Sequence, residues 1–204
     1  MVMSDTIILH CHSDKRMADQ VGTWEFLSRV ETRYTVYHYL CQGPYDYADA
    51  ERYHWEGDHT LINIEHDMEP DDGMLEEMLA CPEPLCGQAY WLSCLSTGRI
   101  ESLICAFMGD SFMPIEFGDD RAQAMGLGRV KLTAEGRRAL GTPARVKWNE
   151  LDYEILRHIR STGLLWHVHW PVCIHNHGFM RGENAKLKAF RQSLQSGAST
   201  AEHV

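Results

Sequence analysis

"TLINIEHDMEPDDGMLEEML", Thr60 to Leu79, sets the reading of the whole chain. Leu61-Ile62-Asn63-Ile64 is short, rich in β-branched residues and bounded by polar ones, so it reads as a strand buried on both faces. Glu65-His66-Asp67 then stands at the strand's carboxyl end. Pro70-Asp71-Asp72-Gly73 breaks the chain, and Met74, Leu75, Met78 and Leu79 recur at helical spacing. A strand, an acidic triplet and a helix are one β-α unit of an α/β sheet. Ligands of such sheets bind outside the carboxyl ends of the strands, where this triplet lies.

The flanking sequence repeats the pattern. Upstream, Thr6 to Leu9 reads as the opening strand, ending in His10-Cys11-His12-Ser13. Met17, Val21, Trp24 and Leu27 follow at helical intervals, and Tyr34 to Leu40 reads as a second strand. Asp46 to Trp55 is expected to hold a short helix. Downstream, Tyr90-Trp91-Leu92 and Ser102 to Phe107 suggest strands. "MGLGRVKLTAEGRRAL" reads as a glycine-flanked strand, Thr133 as N-cap and then a basic helix. In "WNELDYEILRHIRSTG" Asn149 is the expected N-cap, Leu151, Ile155, Leu156 and Ile159 form the apolar stripe, and Gly163 is the stop. In "LLWHVHWPVCIHNHG" Trp166, Val168 and Trp170 alternate with His167 and His169, and His175 and His177 repeat the spacing beyond Pro171. The expected fold is a single α/β, Rossmann-like domain with a mostly parallel central sheet flanked by helices. It would occupy residues 1–190, with 191–204 as a disordered tail.

No apolar stretch approaches the ~18 residues of a membrane span, and no signal-peptide plan opens the chain, so a cytoplasmic protein is expected, in a host cytoplasm if the source is viral. Seven cysteines without a Cys-x-x-Cys pair read as buried thiols rather than disulfides. The net charge of −10 divides unevenly. Residues 1–120 carry 6 Lys/Arg against 23 Asp/Glu, a balance of −17; residues 121–204 carry 13 against 6, a balance of +7. Arg121 to Lys147 holds seven basic residues against Glu135, either a solvated face or a footprint for an anionic partner. No Gly-x-Gly-x-x-Gly or phosphate-loop lysine motif is present, which disfavours dinucleotide and P-loop chemistry.

The order of these features resembles the metal-dependent nucleotide-sugar glycosyltransferases of the GT-A fold, in particular family 2, over roughly residues 5 to 180. There a buried strand ends in an Asp-x-Asp motif, and Glu65-His66-Asp67 looks like its Glu-x-Asp version. The three later segments quoted above look like that family's glycine-containing strand with its helix, its catalytic helix and its histidine-bearing strand. By this resemblance Asp67 and Glu65 hold a divalent cation, Mn²⁺ or Mg²⁺, with His175 or His177 joining from the C-terminal segment. Glu65 with His10, Cys11, His12 and Ser13 would contact a nucleotide-sugar donor, a UDP-sugar. Asp152 falls where the family's catalytic base stands, with Leu151 in place of its usual acidic neighbour. The donor and metal half is then about 1–120 and the acceptor half about 121–190. "IEHDMEPDDGMLEEMLACPEPLCGQAYWL" is similar to small glycosyltransferase-like proteins of bacteriophages. That implies a 5-hydroxymethyl-pyrimidine in DNA, such as 5-hydroxymethylcytosine, as acceptor, met by Arg121–Lys147.

The residues support such chemistry on their own terms. Carboxylates are hard ligands suited to Mg²⁺ or Mn²⁺, a cation stabilises charge developing on a departing diphosphate, and an inverting transfer needs a carboxylate at the acceptor hydroxyl. Three other readings compete: a zinc-binding hydrolase or structural protein using His167 to His177 with Cys173, a nucleic-acid-binding module using the basic half, and a glycosyltransferase acting on protein or polysaccharide.

Overall fold

The computed structural model describes residues 6–13, 21–66, 68–69, 72–93, 100–108, 111–114, 120–123 and 125–175, some of the strand residues by backbone only. The chain begins β1 (Thr6–His12), α1 (Val21–Val30), β2 (Thr35–Leu40), α2 (Asp46–Trp55), β3 (Thr60–Ile64), β4 (Met68–Glu69) and α3 (Asp72–Ala80). It continues β5 (Leu85–Ser93), β6 (Ile100–Met108), β7 (Ser111–Pro114), β8 (Arg121–Ala122), β9 (Arg129–Leu132), α4 (Ala134–Leu140), a 3₁₀ turn (Trp148–Glu150), α5 (Leu151–Thr162) and β10 (Trp166–His175). Strands and helices alternate from β1 to β3, as expected for an α/β fold, and five successive strands, β5 to β9, separate α3 from α4.

The central path of the sheet is β2-β1-β3-β9-β5-β10-β4, with β6 and β7 continuing from β5 and β8 against β10. β2, β1, β3, β5 and β10 run in one direction, and β9 lies antiparallel between β3 and β5. Strand alternation then sorts side chains to two faces. Leu9, Leu61, Leu85, Val130, Leu132, Trp166 and Val168 pack with α2 and α5 on one face. Ile8, Ile62, Ile64 and Cys86 pack with Phe26 and Leu27 of α1 and Met74, Leu75 and Met78 of α3 on the other. β3 is buried from Leu61 to Ile64, as its apolar run requires.

Local signals account for the ends of α4 and α5. Thr133 accepts a hydrogen bond from Gly136 N at 3.1 Å and caps α4. Gly163 ends α5 in the left-handed region at φ 72°, its N–H donating to Ile159 O, a conformation that favours glycine. The start of α5 departs from expectation: Asn149 is inside the 3₁₀ turn, and Glu150 stands at the N-cap without a side-chain cap. The opening strand also runs past Leu9 to His12, so the polar cluster is part of the sheet. Among the described residues no helix is long and apolar enough to cross a membrane, and Cys11, Cys41, Cys81 and Cys86 are free thiols.

Candidate functional site

At the carboxyl end of β3 the sheet hands its last peptide to a turn from another part of the chain. Glu65 N donates to Gly128 O at 2.9 Å, joining the acidic triplet to the Leu127–Gly128 turn that leads into β9. A Cβ on Gly128 would stand 2.9 Å from Glu65 Oε2 and 3.1 Å from Met68 Sδ, so glycine there lets backbone approach the carboxylate. The other side of the same turn holds a second carboxylate: Leu127 N donates to Asp152 Oδ1 at 3.3 Å. Asp152 is in the first turn of α5, yet this backbone donor comes from across the sheet.

Tyr47 of α2 links the pair to the interior. Its hydroxyl donates to Glu65 Oε1 at 3.1 Å, and Asn63 Nδ2 approaches that hydroxyl at 3.4 Å. Asn63 also donates to Glu51, a fully buried carboxyl. Burial, opposed by the Asn63 hydrogen bond, raises Glu51 to about 8, so it is largely protonated at neutral pH. Burial first, then the charge of Glu65, pushes the Tyr47 hydroxyl well up, which keeps it a donor. The result is a neutral tyrosine and a protonated glutamic acid behind two partly exposed carboxylates.

On the opposite face the same end of the sheet is built from imidazoles. His10 Nδ1 is 2.9 Å from His38 Nδ1, and His38 Nε2 is 2.6 Å from Glu31 Oε1. Trp24 stacks on His38 at 4.7 Å and meets the edges of His10 and His12 at 4.7 and 5.0 Å. Burial, then His38, His12 and His66, lowers His10 to about 3, so it is neutral. Thr23 Oγ1 reaches both His66 O (2.9 Å) and Met68 O (2.7 Å), bracketing position 67 from α1.

The residues expected from sequence therefore fall in three groups. Glu65 and Asp152 come to one turn. His10 and His12 line the imidazole cluster on the other face, while Cys11 is buried beside Cys41 and Ser13 follows β1 with part of its surface exposed. Asp67, His177 and the side chain of His175 lie outside the described residues. Tyr47, Thr23, Gly128 and His38 are new. Gly128 carried a signal, being one of two glycines flanking an apolar residue; Tyr47 and Thr23 are ordinary helix residues whose roles depend on distant partners.

The basic segment requires a correction. Arg129, Lys131 and Arg137 are buried at 1%, 2% and 0% exposure. Arg137 donates to the carbonyls of Trp55, Leu132, Gly57 and His59. Arg121 pairs with Glu83, Arg138 with Asp58 and Arg145 with Asp49. Most of its charge is thus engaged within the fold, and the segment is not an open cationic face.

No family model matches the chain, and no curated protein matches it. Among solved structures it is similar to CMP:2-keto-3-deoxy-manno-octonic acid synthetase complexed with CTP, at 10% identity and a TM-score of 0.45, over 95% of this chain and 100% of that one.

Proposed function

We propose that the chain is a metal-dependent glycosyltransferase that moves a sugar from a nucleotide-sugar donor, read as a UDP-sugar, to a hydroxyl acceptor. The observation that carries this reading is the meeting of the Glu65 backbone and the Asp152 carboxylate at the two ends of the Leu127–Gly128 turn, from positions almost ninety residues apart in sequence. In the inverting form Asp152 accepts the proton of the acceptor hydroxyl as its oxygen attacks the anomeric carbon, and the nucleotide diphosphate departs. Leu127 N–H orients the Asp152 carboxylate, and Tyr47 O–H orients Glu65.

A hard cation suits Glu65: carboxylate oxygens are its natural ligands, and the missing Cβ of Gly128 leaves Oε2 uncrowded. Asp67 with Glu65 would hold that cation, with His175 or His177 closing the set, and when bound it supplies the positive charge that a departing diphosphate requires. On the other face Trp24 and His12 are partly exposed rings of the kind a nucleotide base stacks on, with His10 buried behind them. A DNA acceptor draws on the family resemblance, not on the basic segment, whose cations are mostly engaged.

The test is transfer itself. The protein is incubated with Mn²⁺, a panel of nucleotide sugars, and hydroxymethylated or unmodified DNA, then digested and the nucleosides weighed. A hexose or pentose mass added only to the hydroxymethylated base supports the whole reading. Sugar transfer to protein or glycan alone removes DNA. Absence of transfer and of nucleotide release from every donor overturns the glycosyltransferase.

A further inference from the structure

Beneath α3, on the sheet face away from Glu65, the chain collects two thiols and two imidazoles. Cys81 follows the last turn of α3, Cys86 is the second residue of β5, and His169 is in β10; one donor atom of each lies within 4.8 Å of the others. His167 Nδ1 is 3.2 Å from Cys81 Sγ. The two histidines face away from Trp166 and Val168, as strand alternation demands, and toward the thiols.

The ring of His169 is what sets the cluster apart from ordinary buried cysteines. Its side chain is 5% exposed, and Nδ1 lies 2.9 Å from Glu77 Oε1, an arrangement that puts the ring proton on Nδ1. Nε2 is then a bare acceptor, and it is buried without a hydrogen-bond partner. An imidazole held by a carboxylate through one nitrogen and bare at the other is how metal-binding histidines are oriented.

We propose that Cys81, Cys86 and His169 bind a divalent cation of the zinc class, with His167 as the donor for the fourth position. Two sulfurs and imidazole nitrogen select zinc over Mg²⁺ or Mn²⁺. Tetrahedral zinc, with bonds of about 2.3 Å to sulfur and 2.0–2.1 Å to nitrogen, spaces its donors about 3.5–3.8 Å apart, which modest side-chain rotation reaches from the present spread. Loading one dication forms two metal–sulfur bonds and releases one proton from each thiol to solvent, leaving the metal and two thiolates neutral. Alongside, the Lys131 ammonium and the Glu77 carboxylate offset one another. The site is structural, tying the end of α3 to β5 and β10, and it does not depend on the glycosyltransferase reading. It draws two thiols from outside the His167–His177 segment on which the competing zinc reading rested.

The experiment uses the full chain purified without chelator. Elemental analysis should find zinc at about one per chain, and exchange with Co²⁺ should give a thiolate-to-cobalt charge-transfer band with the strong visible bands of four-coordinate cobalt. Cys81→Ser with Cys86→Ser should lose that charge-transfer band. Because those changes can also disturb folding, Glu77→Gln is the second arm: Glu77 is 44% exposed, and its loss should leave the cobalt spectrum in place while lowering affinity about 10–100-fold. Metal-free protein with no thiolate–cobalt band overturns the proposal, as does a Cys81–Cys86 disulfide in freshly alkylated protein or unchanged affinity in Glu77→Gln.

Discussion

The carboxylates around Tyr47 and the cations between Arg121 and Lys147 are both dense in charge, and the fold treats them oppositely. Among their partners Glu65 and Asp152 have neutral donors, a hydroxyl and a backbone N–H, and both keep part of their surface exposed. Arg137 spends its guanidinium on four backbone carbonyls, Lys131 reaches Cys81 O, and Arg121, Arg138 and Arg145 are paired with acids. Formal charge in a sequence is therefore not charge available to a ligand. Neutral hydrogen bonds leave a carboxylate's net charge in place, whereas ion pairs cancel it.

The sharpest break of this contrast is Arg137→Met. Four carbonyls would lose their donor inside the protein, and since burial lowers Arg137 only to about 10, a charged, hydrogen-bonded group is being removed. A loss of about 4–5 kcal/mol in urea unfolding is expected. A loss below about 1 kcal/mol would mean the guanidinium is dispensable to the fold.

Asp152→Asn comes next and should act on rate rather than stability. Turnover should fall about 10²–10⁴-fold with donor affinity and unfolding midpoint nearly unchanged. If donor affinity collapses while turnover of bound substrate survives, Asp152 belongs to the donor side and not to the acceptor hydroxyl.

A pH titration of stability separates the two faces. Glu51, at about 8 folded against 4.5 ordinarily, keeps a proton that the unfolded chain has released between those values, so stability falls as pH rises across that window. His10, at about 3 folded against 6.5, has the opposite sign: the unfolded chain holds the extra proton, and stability falls as pH drops from 6.5 toward 3. Each contributes a slope of at most about 1.4 kcal/mol per pH unit, and the two oppose each other between 4.5 and 6.5. Glu51→Gln should flatten the fall between pH 6.5 and 8 and leave the His10 rise unopposed between 4.5 and 6.5; an unaltered slope between pH 6.5 and 8 in that variant would show that Glu51 is not the group responsible.

Arg138→Gln carries the smallest expected effect. Its partner Asp58 is 92% exposed, so the pair contributes less than about 1 kcal/mol and fades with salt. A destabilisation comparable to that of its neighbour Arg137 would erase the distinction between buried cations and those paired at the surface.

What the sequence disclosed follows the reach of each signal. β3 was legible because its apolar run, its breaker and the next helix are contiguous, and Thr133 and Gly163 because a cap or stop acts within one turn. The approach of Asp152 to the turn beside Glu65 was suggested by resemblance alone. No local pattern brings α5 to Leu127. The antiparallel insertion of β9 and the burial of Arg137 were hidden for the same reason, since both depend on partners distant in sequence. Asn149 misled because a good capping residue can be absorbed into a preceding 3₁₀ turn. Cys81 and Cys86 looked like unrelated thiols until β10 brought histidines over them.

The pairing of β10 with β5 has a consequence for synthesis. His167–Ile174 of β10 pairs with Cys86–Trp91, with a shift of register between His169 and Cys173, and β10 also carries the short strands β4 and β8. While a ribosome is still making residues 94–165, one edge of β5 waits without its permanent neighbour, displaying apolar side chains and unpaired amides. Such an edge invites another nascent chain, and parallel pairing across so long a separation is slow to close. The nascent protein is thus most exposed to aggregation late in translation, and a chain arrested before Trp166 should depend on a chaperone to stay soluble.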